Sequence, residues 1–365
     1  MPRPPTILFD ISAHGLGHLA QSAPVIKAVA VLLPQANIIV RSGIPLQVLQ
    51  ARIGLPFQYR HASDDFGLLM TSSFAFDRAA SAARYVNLHR SIAPTTQAIA
   101  ASLRDDAVDL VVSNAGYLVL AASRSANIPS VVFSSINWHD IVEQLCGDWP
   151  GIGTVLTDMS EIYRTANLWL RLEPGTPMHR FSTVPVPELV VSNATRRTPE
   201  LSWNLKAPNE TLIVAFSFTQ SESEPPPSIP ATSNPPLICI GPQHWASKPP
   251  WVSFQDAGLP FLDLVGSADL IVAKSGYGIV SEAATANTPC IVVLRDEWPE
   301  TASFRQWCAH YGRFEDFNLP LQHLTAEHLA AAHQRLSAKS SVNVPPTSGA
   351  ARIASQIVAT LNQPR

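Results

Sequence analysis

Ser267-Ala268-Asp269-Leu270-Ile271-Val272-Ala273-Lys274-Ser275-Gly276-Tyr277-Gly278-Ile279-Val280-Ser281-Glu282-Ala283 reads as a buried strand, a glycine turn and the opening of a helix. Residues 270–273 are wholly apolar, as a parallel strand covered on both faces must be. Gly276 and Gly278 let another group approach the backbone where a Cβ would block it. The helix start that follows carries unpaired N–H groups and a partial positive charge, a place for phosphate. Lys274 adds a full charge beside it. Glu282 lies eight positions after Lys274, where a carboxylate accepts two ribose hydroxyls at once. Each feature alone suits a plain strand-to-helix turn. Together they predict a nucleotide-diphosphate site formed by Lys274, Ser275, Gly276, Tyr277, Gly278 and Glu282.

Downstream, the apolar run 290–294 is another strand, and Arg295-Asp296-Glu297-Trp298-Pro299-Glu300 follows it. Charged residues at the carboxyl end of such a strand face the ligand side of the sheet. Arg295 is therefore a candidate for phosphate or carboxylate, and Glu300 for sugar hydroxyls. Tyr277 and Trp245 are aromatic candidates for stacking on a base, with core packing as the alternative.

Upstream, the runs 212–217 and 237–240 complete a set of strands with 270–273, and 278–286 is a helix. Residues 222–236 are rich in Pro and Ser and predict an exposed loop. Residues 185–208 hold several prolines and few apolar clusters, which predicts an interdomain linker. The first half has the same rhythm: strands at 6–11, 36–40, 107–113 and 130–134, with helices at 19–33, 81–103 and from the turn at 114–116 to 126. Apolar strands alternating with helices predict an α/β fold of two doubly wound, Rossmann-like domains facing across a cleft. The expected domains are 1–190 and 205–347, with 348–365 a terminal helix packing back on the first.

Ser12-Ala13-His14-Gly15-Leu16-Gly17-His18 follows the first strand and opens its helix. The dinucleotide G-x-G-x-x-G fingerprint is incomplete: Ala20 holds the third position, and the second strand ends in Arg41 rather than an acid. A nicotinamide site is not expected. The histidines are more informative, because imidazole titrates near neutral pH. His18 is the candidate general base for a hydroxyl proton, with His14 and Gly17 on the acceptor side. An acid usually orients such a base, but Asn114 stands where it is expected at the end of 107–113. Asn114 can hold an imidazole without stabilising its charge. In Ile136-Asn137-Trp138-His139-Asp140, Asp140 is the nearest carboxylate by topology, a catalytic candidate whose other reading is a helix-start acid. Asn137 joins the acceptor-side residues. Asp64 and Asp65 sit in a loop that would close over an acceptor.

The chain of 365 residues is 46% hydrophobic, enough for a large core in two domains. A net charge of −3 gives no electrostatic case for nucleic acid. Cys146, Cys239, Cys290 and Cys308 show no metal-ligand spacing, and Cys239 and Cys290 lie in apolar runs as small hydrophobes. No D-x-D pair occurs, so no metal is expected. The N-terminus leads into a strand without a signal-peptide segment, and no apolar run is long enough to span a membrane. A cytoplasmic location is expected, and peripheral membrane contact remains open.

With these residues assembled, the chain resembles the nucleotide-sugar glycosyltransferases of the GT-B fold. It looks closest to the branch found as the amino-terminal region of plant L-arabinokinases and as free-standing bacterial proteins. The resemblance covers both domains. It is carried by Gly15–His18, Ser135–Asp140, Ala268–Glu282 and the stretch from Pro289 through Arg295 to Glu300. It implies that His18 activates the acceptor, that Lys274 stands where many relatives carry a diphosphate-binding histidine, that Glu282 holds ribose, and that Glu300 lies near the sugar-binding acid. Gln21 departs from an arginine frequent in the closest relatives, and Asn114 from an acid. Kinase activity is not carried over, because no sugar-kinase domain follows. The expected reaction moves a sugar from a nucleotide diphosphate-sugar, UDP-linked, to an unknown acceptor hydroxyl with inversion and without metal or other cofactor. An epimerase or hydrolase of the same fold, and a nucleotide-sugar-binding protein with little catalysis, are the alternatives.

Overall fold

The computed structural model describes residues 3–62, 64–192, 210–218, 224–295, 298–339 and 342–363. The chain forms two compact units: Met1–Leu69, Phe76–Val191 and Pro346–Arg365 in the first, Met70–Ala75 and Ser192–Pro345 in the second.

The first unit holds a seven-stranded sheet of β1 (Thr6–Ile11), β2 (Asn37–Ser42), β3 (Gln58–His61), β4 (Leu110–Asn114), β5 (Ser130–Ser134), β6 (Leu168–Leu172) and β7 (Val184–Val186). All its pairings are parallel, in the order β3-β2-β1-β4-β5-β6-β7. Every residue of β1 is buried, because helices cover both faces of the sheet. The order reverses between β1 and β4, so the chain leaves these neighbours in opposite directions and opens a crevice at their carboxyl ends. Gly15, at φ +81°, takes the left-handed angle that turns the chain from β1 into the helix Gly17–Leu32. The helix Gly349–Leu361 packs in the same unit. Its Ile353, Ala354 and Ile357 share a core with Leu19, Ala23 and Ile26, and each large aliphatic so buried contributes about 1.5–3 kcal/mol.

The second unit repeats the design. β8 (Leu212–Ser217), β9 (Leu237–Gly241), β10 (Trp251–Ser253), β11 (Leu270–Lys274), β12 (Cys290–Val293) and β13 (Phe314–Phe317) form a parallel sheet in the order β10-β9-β8-β11-β12-β13. Its reversal lies between β8 and β11. Phe216, Trp245 and Trp251 pack in its core, with ring centroids 4.8 to 5.9 Å apart.

The strands β3, β6, β7, β10 and β13 are not in the sequence reading, and four further details differ from it. The long helix expected over 81–103 is two, Arg78–Arg90 and Ile92–Asp105, because Pro94 has no N–H to give the Arg90 carbonyl and its ring crowds that carbonyl. Met70–Ala75, expected in the first domain, belongs to the second unit, where the Ser73 N–H and hydroxyl donate to the buried Glu224 carboxylate. The loop expected to be exposed over 222–236 is anchored in its described part, 224–236, by buried Glu224 and Ile229. The Trp245 indole donates to the Glu224 carbonyl at 2.8 Å. The linker expected over 185–208 begins inside β7, and residues 193–209 lie outside the described residues.

Candidate functional site

In the first unit, β1 and β4 are parallel neighbours with Ile11 opposite Asn114. That register brings Asn114, at the end of β4, to the helix that follows β1. His18 Nδ1 lies 2.6 Å from Asn114 Oδ1, with both side chains buried. Burial holds the His18 imidazole below its usual titration range, and the Asn114 bond offsets this only in part. The ring is therefore neutral at pH 7 and able to take a proton. The Asn114 amide continues to Gln21 Oε1 at 3.4 Å, Gln21 Nε2 to Ser135 Oγ at 2.7 Å, and Ser135 Oγ to the Pro174 carbonyl at 2.6 Å. Gln21 and Ser135 were not among the expected site residues. The available signal was helical spacing, since Gln21 lies three residues after His18 and so shares its face.

His14 packs edge-on against Trp138, ring centroids 5.1 Å apart, and its Nδ1 accepts the Leu68 N–H at 3.3 Å. Trp138 also tilts against His18 at 6.0 Å. Gly17 is exposed at the first position of its helix, where a Cβ would meet open space.

Beneath this turn lies a charge cluster. Arg41 donates to Asp10 at 2.6 Å and to Asp64 at 2.5 Å. Asp65, beside Ser12 and Trp138, has its carboxyl pushed up to about 7, chiefly by burial and then by the Asp10 charge. Asp64 thus serves an ion pair rather than an open loop. The cluster was hidden in the sequence because Asp10 sits inside an apolar strand.

Asp140 lies in the first turn of the helix Trp138–Cys146. Its N–H donates to Asn137 Oδ1, and its carboxylate accepts from Asn137 Nδ2, both at 2.8 Å. These bonds cap the helix, and the His139 bond, with Asn137, holds the Asp140 carboxyl low against its burial. The partner recorded on His18 is thus Asn114, while Asp140 serves its own helix. His139, Asp140 and Glu143 bring three donor atoms within 4.8 Å of one another. Glu143 is bridged to Arg180 at 2.8 and 3.0 Å, so protein groups already serve both carboxylates.

In the second unit, β11 ends at half-buried Lys274, and the helix Tyr277–Ala286 begins after Gly276. That helix has no side-chain cap and no acid in its first turn. Gly276 has φ −154°, extended backbone open to any residue, and a Cβ there would meet only Ile279 at 3.7 Å and the Lys274 carbonyl at 3.8 Å. Among the described residues, neither backbone strain nor packing calls for glycine at this position. Ser275 is half-buried, and its N–H donates to the Val293 carbonyl at 3.2 Å. Gly278 and Glu282 are buried in the helix. Tyr277 is buried against Phe304, ring centroids 5.9 Å apart, and Trp245 is 2% exposed in the core. Both aromatics are packing residues in this structure. Arg295 lies over the Trp298 ring at 4.3 Å, and the Trp298 indole donates to Glu300 at 2.6 Å. Burial raises the Glu300 carboxyl, while Arg295 and Trp298 pull it back.

No protein family model matches the chain. An L-arabinokinase of Arabidopsis thaliana is 24% identical over 313 residues, covering 83% of this chain and 29% of that protein. The chain thus spans less than a third of that relative's length. A UDP-glucosyltransferase from Polygonum tinctorium capable of glucosylating indoxyl matches with a TM-score of 0.60 at 13% identity, covering 99% of each chain. A glycosyltransferase from Streptomyces nogalater matches at 0.56 and 16%, covering 99% of this chain and 100% of that one. The fold is GT-B. Identities this low carry the fold alone. Within the GT-B frame, the His14–His18 turn belongs to the first doubly wound unit and Lys274–Glu282 to the second. Among the described residues, no helix is long and apolar enough to cross a membrane.

Proposed function

We propose that this GT-B protein transfers a sugar from a nucleotide diphosphate-sugar, UDP-linked, to an acceptor hydroxyl with inversion at the anomeric carbon. The observation that carries the reading is the uncapped helix start at Gly276, where a glycine stands without a structural demand from the described residues around it. A ligand approaching the backbone supplies that demand.

His18 Nε2 takes the acceptor proton, and the freed oxygen attacks the anomeric carbon. The bond from that carbon to the diphosphate oxygen breaks, and the diphosphate leaves with the electron pair. Lys274 and the helix N–H groups stabilise the growing charge, a preorganised electrostatic role that calls on no divalent metal. Glu282 accepts ribose hydroxyls. Arg295 and Glu300 serve the phosphate and sugar, with Ser275 and Gly278 lining the same turn. His14, Gly17, Asn114 and Asn137 belong to the acceptor side. Four buried cysteine thiols accord with a reducing, cytoplasmic setting.

The test is thermal unfolding with UDP, dTDP, GDP, UMP or NAD, repeated on Lys274→Ala and Glu282→Ala. A ligand at about 100 times its Kd adds about 2.7 kcal/mol to the folded state. One nucleoside diphosphate should raise the melting temperature, with the rise lost in both variants. The matching nucleotide-sugar should then release its diphosphate only when an acceptor is present. Release without acceptor would move the assignment to a hydrolase. Stability unmoved by every nucleotide at several millimolar overturns the reading.

A further inference from the structure

We infer that Gln21 and Ser135 are positioning residues that set the tautomer of His18 through Asn114, in a one-way hydrogen-bond relay anchored on the Pro174 carbonyl. The inference rests on His18 being the base of the proposed transfer.

The direction follows from donor and acceptor chemistry alone. A carbonyl oxygen only accepts, so across the 2.6 Å contact with Pro174 the Ser135 hydroxyl must donate its single proton. Ser135 Oγ can then only accept from Gln21, and the Gln21 atom 2.7 Å away must be the amide nitrogen. Gln21 therefore turns its carbonyl to Asn114, which must answer with its own amide nitrogen at 3.4 Å. Asn114 is left to present Oδ1 to His18 at 2.6 Å, and an acceptor there requires the proton on Nδ1. Nε2 keeps its lone pair and is the basic atom.

An isolated asparagine could not do this. Its amide flips at little cost, and a flipped Asn114 would donate to Nδ1 and move the proton to Nε2, leaving no base there. The relay supplies the polarity without placing a negative charge beside the imidazole. The four side chains are all buried, so water does not compete to reverse the order.

The deciding measurement is the ¹⁵N spectrum of labelled histidine in the free, full-length protein at pH 8, with His18 assigned by comparison with His18→Gln. The wild type should show a protonated Nδ1 and a bare Nε2. Ser135→Ala and Gln21→Met should each bring up a substantial Nε2–H population. Gln21→Glu still presents an acceptor oxygen to the Asn114 amide, so it should retain the wild-type tautomer. In turnover assays, kcat should fall roughly 10- to 100-fold in the two disrupting variants, part of the roughly 10²- to 10⁴-fold that a positioned base supplies, with donor KM held within about twofold. A proton on Nε2 in the wild type overturns the relay, as does an unchanged tautomer in both disrupting variants. If Ser135→Ala fails to fold, Gln21→Met decides. The spectrum needs no substrate, so the expected tautomers with no transfer from any donor would keep the relay and remove the reaction class.

Discussion

Nδ1 of His18 lies 2.6 Å from Oδ1 of Asn114, both side chains are buried, and a neutral amide therefore occupies the place where a carboxylate would set a charge beside the base. An imidazolium formed there gains a hydrogen bond and no ion pair. Burial then dominates and lowers the His18 pKa.

A pH dependence follows. His18 works in its neutral form, so activity should be full at neutral pH and decline only as pH falls through a value below the ordinary histidine range of about 6.5. Asn114→Asp adds a charge that favours imidazolium, and should move the acidic limb of the kcat/KM profile to higher pH. Superimposable profiles for the two proteins would break the link between His18 and that limb.

His18→Ala should reduce turnover by on the order of 10²- to 10⁴-fold, the usual worth of a positioned base, while nucleotide-induced thermal stabilisation stays intact. Turnover equal to wild type would remove His18 from the mechanism.

Asp65 makes stability pH-dependent. Its carboxyl titrates at about 7 in the folded protein against 3.8 ordinarily. Across that window the native state holds a proton that the unfolded chain has released. Stability therefore falls as pH rises toward 7 and levels off above it. Asp65→Asn removes the titrating carboxyl, so its melting temperature should exceed wild type at about pH 8 and converge with it at about pH 4. Parallel curves would show that another group sets the dependence.

Gly67 takes φ +61°, and a Cβ there would stand 2.6 Å from both His14 Cγ and the Trp138 ring. Gly67→Ala combines an unfavourable backbone angle with a clash between two packed rings, and should cost about 1–3 kcal/mol in urea unfolding. An unshifted midpoint would mean that the turn relaxes freely.

In the second unit, the Ser73 hydroxyl donates to the buried Glu224 carboxylate at 2.7 Å. Ser73→Ala leaves that charge one donor short, at a cost of about 1.5–3 kcal/mol. Denaturant unfolding of the full chain reads this directly, and a change under about 0.5 kcal/mol would assign the contact no role in stability.

Much of the fold was legible because parallel strands covered on both faces must be apolar almost throughout. Thr6–Ile11, Leu212–Ser217 and Leu270–Lys274 announce themselves in this way. The edge strand Gln58–His61 does not, since none of its residues is buried and nothing imposes an apolar run. The break at Ser91 was written in Pro94, but a helical pattern on both sides masked it. Glu224 reads as a loop acid, and only its contacts with Ser73 and Trp245 show a buried anchor.

The turns His14–His18 and Lys274–Gly278 could be found by eye because each follows a strand, and strand-to-helix turns gather at the carboxyl edge of a doubly wound sheet. That much is local chemistry, carried by apolar runs, glycines and the residues beside them. Which side chains meet is not local. Asn114 is 96 positions from His18, and Ser135 is 114 from Gln21. They are joined because β4 lies against β1 in a register that sets Asn114 opposite Ile11, and β5, which ends at Ser134, lies against β4. Strand order and register arise from packing the whole sheet, so tertiary structure decided that an amide relay serves the histidine while Asp140 stays bound to the Asn137 cap of its own helix.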